Sequence, residues 1–287
     1  MTDYQDSLQA FGDSSPRKSK FNPDLANRLN KEAEERERRE KLDEMLGRGK
    51  KKDTNKVESP PAENRIETLK DYWRIHNVEY NGETASYELA KTLLLEGERR
   101  SQEQWADYSL NARERGEFYT PDFPLLHGLI RAVYLQREES TRTKETQEIK
   151  EFFKDNMGKW LMTLTRVRNS SKGQTVDEVI HNYKQGQKYG ERIVKEEIVG
   201  KDREIVKADS RALNTLIGNG DVNEIKDIYK WVNNTPTYIW RINSREDNLI
   251  ESVARVDADS DRAGLDCYGG ASYVGASIGV RRAKKNL

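Results

Sequence analysis

The stretch Asp266–Arg281, "DCYGGASYVGASIGVR", contains four of the chain's 19 glycines and its only cysteine. Glycines that cradle a phosphate open into the first turn of a helix. No helical pattern follows these glycines, because small and β-branched residues continue into a basic end. We therefore predict that Gly269-Gly270 is a turn between two strands, and that Gly275 and Gly279 allow another segment to approach closely.

The rest of the region 158–287 has the same strand-forming character, because short runs of β-branched and apolar residues recur along it. The predicted strands are "KWLMTLTRVR" (159–168), "VIHNY" (179–183), two within "ERIVKEEIVGKDREIVK" (191–207), "TYIWRIN" (237–243), "ESVARVDAD" (251–259), "RAGLDCY" (262–268) and "ASIGVRR" (276–282). Two short helices, Ser210–Ile217 and Val222–Val232, interrupt them. We predict a mainly antiparallel β-rich region with a basic tail.

The region 65–157 has apolar residues at helical spacing, which predicts a layer of helices. The predicted helices are 66–75, 84–96, 101–115, 120–136 and 143–157. The third has the clearest start signal, because Ser101 followed by Gln104 is a capping box. A helical layer followed by a β-rich portion is an α+β fold.

Residues 1–64 are predicted to be a disordered arm and linker, with 14 basic and 14 acidic residues and no tryptophan. One solvated, coiled-coil-like charged helix is predicted over about 23–46, with Asn22 as N-cap and Gly47 as C-cap. Acid-before-base pairs such as Glu32 and Arg36 support it. The predicted organisation is therefore 1–64, 65–157 and 158–287.

Composition excludes several classes of protein. The chain has 50 basic and 50 acidic residues, and residues 65–280 carry 32 basic and 36 acidic residues, a net charge of −4, so the body has no domain-wide basic field. One cysteine gives no intramolecular disulfide. The sequence has no apolar run of about 18–20 residues and no signal-peptide pattern. These features predict a soluble cytoplasmic protein that does not enter a membrane.

One acidic cluster has the spacing of a cation site. Asp257, Asp259 and Asp261 match positions 1, 3 and 5 of a calcium loop. Position 6 needs glycine and position 12 glutamate, but Arg262 and Tyr268 stand there. We predict a solvated hairpin turn, and whether these aspartates bind a cation stays open.

The three histidines are isolated, and none has a second ligand at metal-binding spacing. His127 lies on the apolar face of a predicted helix and is expected to be a hydrogen-bonded core residue. His181, near Asp177 and Glu178, is the best candidate for a general base, although no nucleophile motif accompanies it. The sequence predicts no cofactor and no metal.

Three functional hypotheses follow, and the sequence identifies no family. The first is a non-enzymatic interaction or scaffold protein that binds a protein partner through the arm. Its candidate partner-binding residues are Tyr4, Leu8, Phe11, Lys50, Lys51 and Lys52. The second is nucleic-acid binding through the basic flanks 48–56 and 281–285. The third is an enzyme of unknown class that uses His181 or the cluster Asp257–Asp261.

Overall fold

The computed structural model describes residues 65–138, 143–168, 176–184, 188–193, 210–240 and 251–284. The chain divides into units 1–58 and 59–287, and every described residue lies in the second unit. The predicted arm, its charged helix and the candidate residues Tyr4, Leu8, Phe11 and Lys50–Lys52 lie outside the described residues.

The described residues form both helices and strands, which confirms the α+β class. The strands are β1 (Ile66–Thr68), β2 (Tyr72–Tyr80), β3 (Glu83–Leu93), β4 (Arg100–Ser101), β5 (Leu161–Arg168), β6 (Val176–His181), β7 (Lys188–Ile193), β8 (Thr237–Trp240), β9 (Glu251–Ala258), β10 (Ala263–Gly269), β11 (Val274–Gly275) and β12 (Ile278–Arg282). The helices are α1 (Gln102–Arg115), α2 (Phe123–Leu135), α3 (Thr143–Met157), α4 (Ser210–Ile217) and α5 (Val222–Asn233). Within the described ranges, no helix has the length and apolar character needed to cross a membrane.

The strands form three sheets. A four-stranded sheet has the order β1-β2-β3-β12, and all its neighbours are antiparallel. A six-stranded sheet has the order β7-β6-β5-β9-β10-β8 and is antiparallel except for the β10–β8 pair. The short strands β4 and β11 pair with each other.

The two helices predicted at 66–75 and 84–96 are wrong, because these residues form the antiparallel strands β1, β2 and β3. Asn81 and Gly82 make the turn between β2 and β3 with φ values of 54° and 75°. Two consecutive positive φ values are the mark of the hairpin turn that Asn-Gly favours. A bulge between Ile75 and Val78 keeps both side chains buried at a spacing of three, which imitates a helical period.

The other helix predictions of the first region are confirmed. In α1, Ser101 and Gln104 form the expected reciprocal capping box, and Gly116 ends the helix in the left-handed conformation. The helix predicted from residue 120 begins at Phe123, because the side chain of Asp122 accepts a hydrogen bond from the amide of Leu125.

The glycine-rich stretch connects two sheets. The predicted turn follows β10, where the amide of Tyr273 donates to the carbonyl of Gly270. The strands on its two sides do not pair with each other, since β10 belongs to the six-stranded sheet and β11 pairs with β4, before the chain continues into β12 of the four-stranded sheet. Close approach at Gly275 and Gly279 is confirmed. A Cβ at Gly275 would lie 2.4 Å from the carbonyl oxygen of Trp160, and one at Gly279 would lie 2.8 Å from the side chain of Leu94.

Helix α2 supplies much of the core. Its apolar side chains pack in one cluster with residues of both larger sheets, so residues on either side of position 157 share a hydrophobic core. A Cβ at Gly128 of α2 would lie 2.6 Å from the carbonyl oxygen of Glu79, so only glycine allows β2 to approach this closely. This packing covers one face of the four-stranded sheet with α2 and leaves charged side chains on the other face.

Candidate functional site

A row of alternating charges crosses the four-stranded sheet. The strand register places Glu67 of β1, Arg74 of β2, Glu88 of β3 and Arg281 of β12 side by side. Glu88 is buried, with 4% of its surface exposed. It accepts hydrogen bonds from Arg74 Nη2 at 2.8 Å and from Arg281 Nε at 2.6 Å. The hydrogen bond to Glu88 is the largest influence that raises the pKa of Arg74, so this guanidinium stays charged.

Aromatic rings flank the basic end of this row. The guanidinium carbon of Arg281 lies 4.3 Å from the ring centroid of Phe118 and 5.3 Å from that of Tyr72. The two rings are themselves 5.9 Å apart. Both distances to the cation are within the range of a cation–π interaction. Arg281 is therefore fixed by one carboxylate and two rings.

The end of α1 adds a second fixed arginine. The guanidinium carbon of Arg113 lies 3.9 Å from the ring centroid of Tyr119, and its Nη2 donates to Asn182 Oδ1 at 2.6 Å. Arg113 has no carboxylate partner among the residues that the structure describes. Its positive charge therefore remains available to a ligand.

A buried polar network holds Asn182, and through it Arg113, in place. Asn182 Nδ2 donates to Asp122 Oδ2 at 2.8 Å and to the hydroxyl oxygen of Tyr80 at 2.8 Å. The Tyr80 hydroxyl donates to the same Asp122 oxygen at 2.6 Å. Burial, together with the charge of Asp122, raises the pKa of Tyr80 above its ordinary value, so the phenol remains a donor. The N-cap of α2 is therefore linked to the orientation of Arg113.

Arg74, Glu88, Arg281 and Arg113 line one cleft of about 500 Å³ between the end of α1 and the edge strand β12, which we call the cationic cleft. Its wall contains five cationic side chains and two carboxylates, a net charge of +3. The cationic cleft is lined by Tyr72, Arg74, Glu88, Arg113, Gly116, Glu117, Tyr119, Arg281, Arg282 and Lys284. The part of the basic tail that the structure describes thus lies beside arginines from β2 and α1.

A second cavity, of about 610 Å³, lies between the β2–β3 turn, α2 and the α4–α5 turn. Its lining contains Glu79, Glu83 and Glu224 but only one cation, Arg131. Arg131 donates to Glu79 at 2.7 Å and to Glu224 at 2.8 Å. Its guanidinium is already engaged by two carboxylates, so this cavity offers an anion no free positive group.

His127 borders this second cavity and is a hydrogen-bonded core residue, as predicted. Its side chain is 2% exposed, and Asn219 Nδ2 lies 3.2 Å from its Nε2. Its ring stacks on Tyr229 at a centroid distance of 5.8 Å. Burial lowers the pKa of His127 from 6.5 to about 3, so the imidazole is neutral at physiological pH.

A third concave surface, of about 830 Å³, lies between α3 and the strands β2 and β3. Its floor contains the apolar rings of Trp73 and Phe152. The charged side chains around it are of both signs: Lys91, Lys144, Glu148, Glu151 and Asp155. This mixture gives it no preference for one sign of ligand charge.

His181 lies on β6, where both ring nitrogens are engaged. Nε2 donates to the carbonyl of Thr215 at 2.8 Å, so Nδ1 accepts from the hydroxyl of Thr165 at 2.9 Å. A general base needs a free lone pair directed at a substrate. The geometry therefore gives His181 a structural role in joining β6 to β5 and α4.

The acidic cluster is part of a hairpin turn between β9 and β10, as the sequence indicated. The amide of Asp259 donates to the carbonyl of Arg262 at 2.8 Å, and Ala258 pairs with Ala263. Arg262 Nε lies 3.5 Å from Asp261. Within the described ranges, no three His, Cys, Asp or Glu side chains are placed to hold a metal ion.

Sequence reasoning identified only the tail of the cationic cleft. It missed Tyr72, Arg74, Arg113 and Tyr119, because these residues come from segments that the fold brings together over more than 160 positions. One signal was present: the Asn81-Gly82 pair predicts a hairpin. That hairpin sets the register that aligns Arg74 with Glu88.

Comparisons with known proteins give no match: no family model fits the sequence, and neither a curated protein nor a solved structure is similar to it. Any functional conclusion therefore depends on the geometry of the site.

Proposed function

We propose that this protein is a non-enzymatic binding protein whose cationic cleft holds the phosphates of a single-stranded nucleic acid. The observation that supports this most directly is the net charge of +3 in one cleft of a chain with equal numbers of acids and bases. Local concentration of positive charge attracts a polyanion even where the whole molecule is neutral.

The cleft groups differ in how free they are to contact phosphate. Arg74 and Arg281 share Glu88 and supply a fixed positive wall. Among the described residues, the carboxylate that pairs with Arg282 is Glu83 at 3.5 Å, and the side chain of Arg282 is more than half exposed. Arg282, Lys284 and Arg113 are therefore the groups that we expect to contact phosphate oxygens directly.

The rings beside these cations favour an unpaired strand over a duplex. Proteins that bind single strands combine a basic groove with aromatic side chains on which bases stack. Tyr72, Phe118 and Tyr119 all lie within about 6 Å of a cleft guanidinium. Tyr72 and Phe118 are partly exposed beside Arg281, whereas Tyr119 is buried beneath Arg113, so Tyr72 and Phe118 are the rings that we expect to stack on bases. The residues that line the cleft match no catalytic arrangement of acid, base and nucleophile.

Fluorescence anisotropy with a labelled oligo(dT) of about 16 nucleotides tests the proposal, since single-strand sites span about 4–16 nucleotides. We expect affinity to fall steeply as salt rises from about 50 to 200 mM. The double variant Arg282→Glu with Lys284→Glu should bind at least about tenfold more weakly.

A matched control reverses two charges on α3, Lys144→Glu with Lys154→Glu, which lie outside the cationic cleft. It changes net charge by the same amount and should retain most of the affinity. Equal losses in the two double variants would mean that only net charge matters and would overturn the proposed site.

The scaffold hypothesis stays a prediction, as does cytoplasmic location. A third variant that reverses Lys50, Lys51 and Lys52 separates binding in the cationic cleft from nucleic-acid binding through the basic flank 48–56. If this variant alone abolished oligonucleotide binding, the arm would carry the affinity and the cleft would not.

A further inference from the structure

Two aromatic side chains lie exposed on the surface where β5 and β11 approach each other. Trp160 is 38% exposed and Tyr273 is 47% exposed, and the adjacent Val274 is 43% exposed. Rings of this size bury about 150–250 Å² when they are fully covered. A ligand that covers the exposed part of both rings and Val274 would therefore gain hydrophobic binding free energy.

Arg255 of β9 ties the two rings together. Its guanidinium carbon lies 4.3 Å from the ring centroid of Trp160 and 5.6 Å from that of Tyr273. The arginine itself is only 4% exposed. Two exposed rings thus flank a buried cation, which holds both rings in place before any ligand arrives.

The backbone at Trp160 is strained in a way that favours presenting the ring. Its φ is 58°, a left-handed value that is uncommon for a bulky residue and costs about 1–3 kcal/mol. Its amide donates to the carbonyl of Met157 at 3.1 Å, and its carbonyl faces Gly275. A glycine at position 160 would adopt this conformation without strain, whereas the tryptophan presents a ring here at the expense of a strained backbone.

Tyr273 lies in the same short segment as Arg281, which lines the cationic cleft. Arg281 lies eight positions after Tyr273, so the two residues lie at most about 27 Å apart, the reach of a fully extended chain. Two further cations lie on the way, since Arg99 donates to the carbonyl of Val274 at 3.1 Å and Arg100 of β4 pairs with Gly275. The distance between Tyr273 and Arg281 is within the length of a single strand of ordinary site size.

We infer that Trp160 and Tyr273 form an aromatic clamp that stacks on unpaired bases of the same single strand whose phosphates occupy the cationic cleft. This inference rests on the proposed function and adds the way the bases are held. Stacking is tolerant of sequence because every base has a π-face. The clamp therefore contributes affinity without base preference.

The test compares two probes of equal length and charge, oligo(dT) and an abasic deoxyribose-phosphate oligomer, by anisotropy with the full chain. We expect wild type to bind oligo(dT) about 5- to 150-fold more tightly than the abasic oligomer, the range of base–aromatic stacking. Tyr273→Ala and Trp160→Gly should each lose much of this preference while binding the abasic oligomer unchanged. Tyr273→Phe keeps a ring and should behave as wild type.

The outcomes separate the clamp from the cleft. If wild type bound both probes equally, base stacking would be refuted at the clamp and at the cleft rings, while phosphate binding in the cationic cleft stood. If Tyr273→Ala kept the full preference for bases, the clamp alone would be refuted. If wild type bound neither probe, both the proposed function and the clamp would fall. Thermal melting of each variant accompanies the binding data, so that a variant that fails to fold is distinguished from one that fails to stack on bases.

Discussion

The guanidinium of Arg281 in the last strand donates from Nε to Glu88 Oε2 at 2.6 Å, although 193 positions separate the two residues. This ion pair joins β12 to β3 at the edge of the four-stranded sheet. It also sets the electrostatics of the cationic cleft, because Glu88 neutralises part of the charge of Arg281 and Arg74. One buried carboxylate therefore acts on both stability and binding.

Glu88→Gln should lower the free energy of unfolding and tighten oligonucleotide binding. The substitution leaves two guanidinium groups without their carboxylate in a site where Glu88 is 4% exposed. We expect a loss of about 1–3 kcal/mol, below the full penalty for a buried pair because the two arginine side chains are 21% and 31% exposed. Urea denaturation measures the loss.

Glu83→Gln is the control, since Glu83 lies on the same strand but is 70% exposed. It should change stability by less than about 0.5 kcal/mol, as expected for a surface ion pair. If Glu88→Gln were as stable as Glu83→Gln, the bridge would contribute nothing to the sheet.

Local signals in the sequence predicted each of the five helices α1–α5, although they also predicted two helices where the structure has strands. The capping box at Ser101 fixed the start of α1, and the apolar stripe that includes Leu126 and Ile130 predicted α2 as a buried helix. Each of these signals lies within one turn or one face of a helix, so the sequence alone is sufficient to reveal it.

The four-stranded sheet could not be predicted in the same way. A bulge at Asn77, where φ is 56°, gives β2 buried positions three residues apart, and this spacing indicates a helix. The partner of β12 is β3, nearly two hundred residues earlier, and no local pattern encodes that pairing. The cationic cleft depends on this pairing, so only its tail was visible in the sequence.

Gly275→Ala should destabilise the protein by about 1–3 kcal/mol or more, because the added methyl group meets a backbone oxygen that has no rotamer to change. Its Cβ would lie 2.4 Å from the carbonyl oxygen of Trp160 and 2.7 Å from Met162 Cγ. Gly158→Ala is the matched control, since its Cβ would lie 3.6 Å from the nearest atom. Thermal melting compares the two, and equal melting temperatures would contradict the close approach.

His127 should make the protein less stable as pH falls. Above pH 6.5 the imidazole is neutral in both the folded and the unfolded chain. Below that pH, His127 binds a proton in the unfolded chain. In the folded chain it stays neutral until the pH reaches its lowered pKa of about 3. Stability therefore falls by about 1.4 kcal/mol per pH unit within this window.

The variant His127→Gln removes this titration. Between pH 7 and pH 5 wild type should lose about 2 kcal/mol more of its unfolding free energy than the variant loses. Urea denaturation at the two pH values measures both losses. Parallel pH profiles would show that His127 titrates normally and is not desolvated.

Arg113→Ala should reduce the salt dependence of oligonucleotide binding, because Arg113 is the cleft arginine that no described carboxylate neutralises. Losing one phosphate contact on a single strand lowers the slope of log K against log salt by about 0.7. Arg137→Ala is the matched control: Arg137 lies 3.8 Å from the ring centroid of Tyr134 in the same stacked geometry, but outside the cationic cleft. Anisotropy titrations at several salt concentrations should leave the slope of Arg137→Ala unchanged. An unchanged slope for Arg113→Ala would show that this arginine supports Tyr119 and contacts no phosphate.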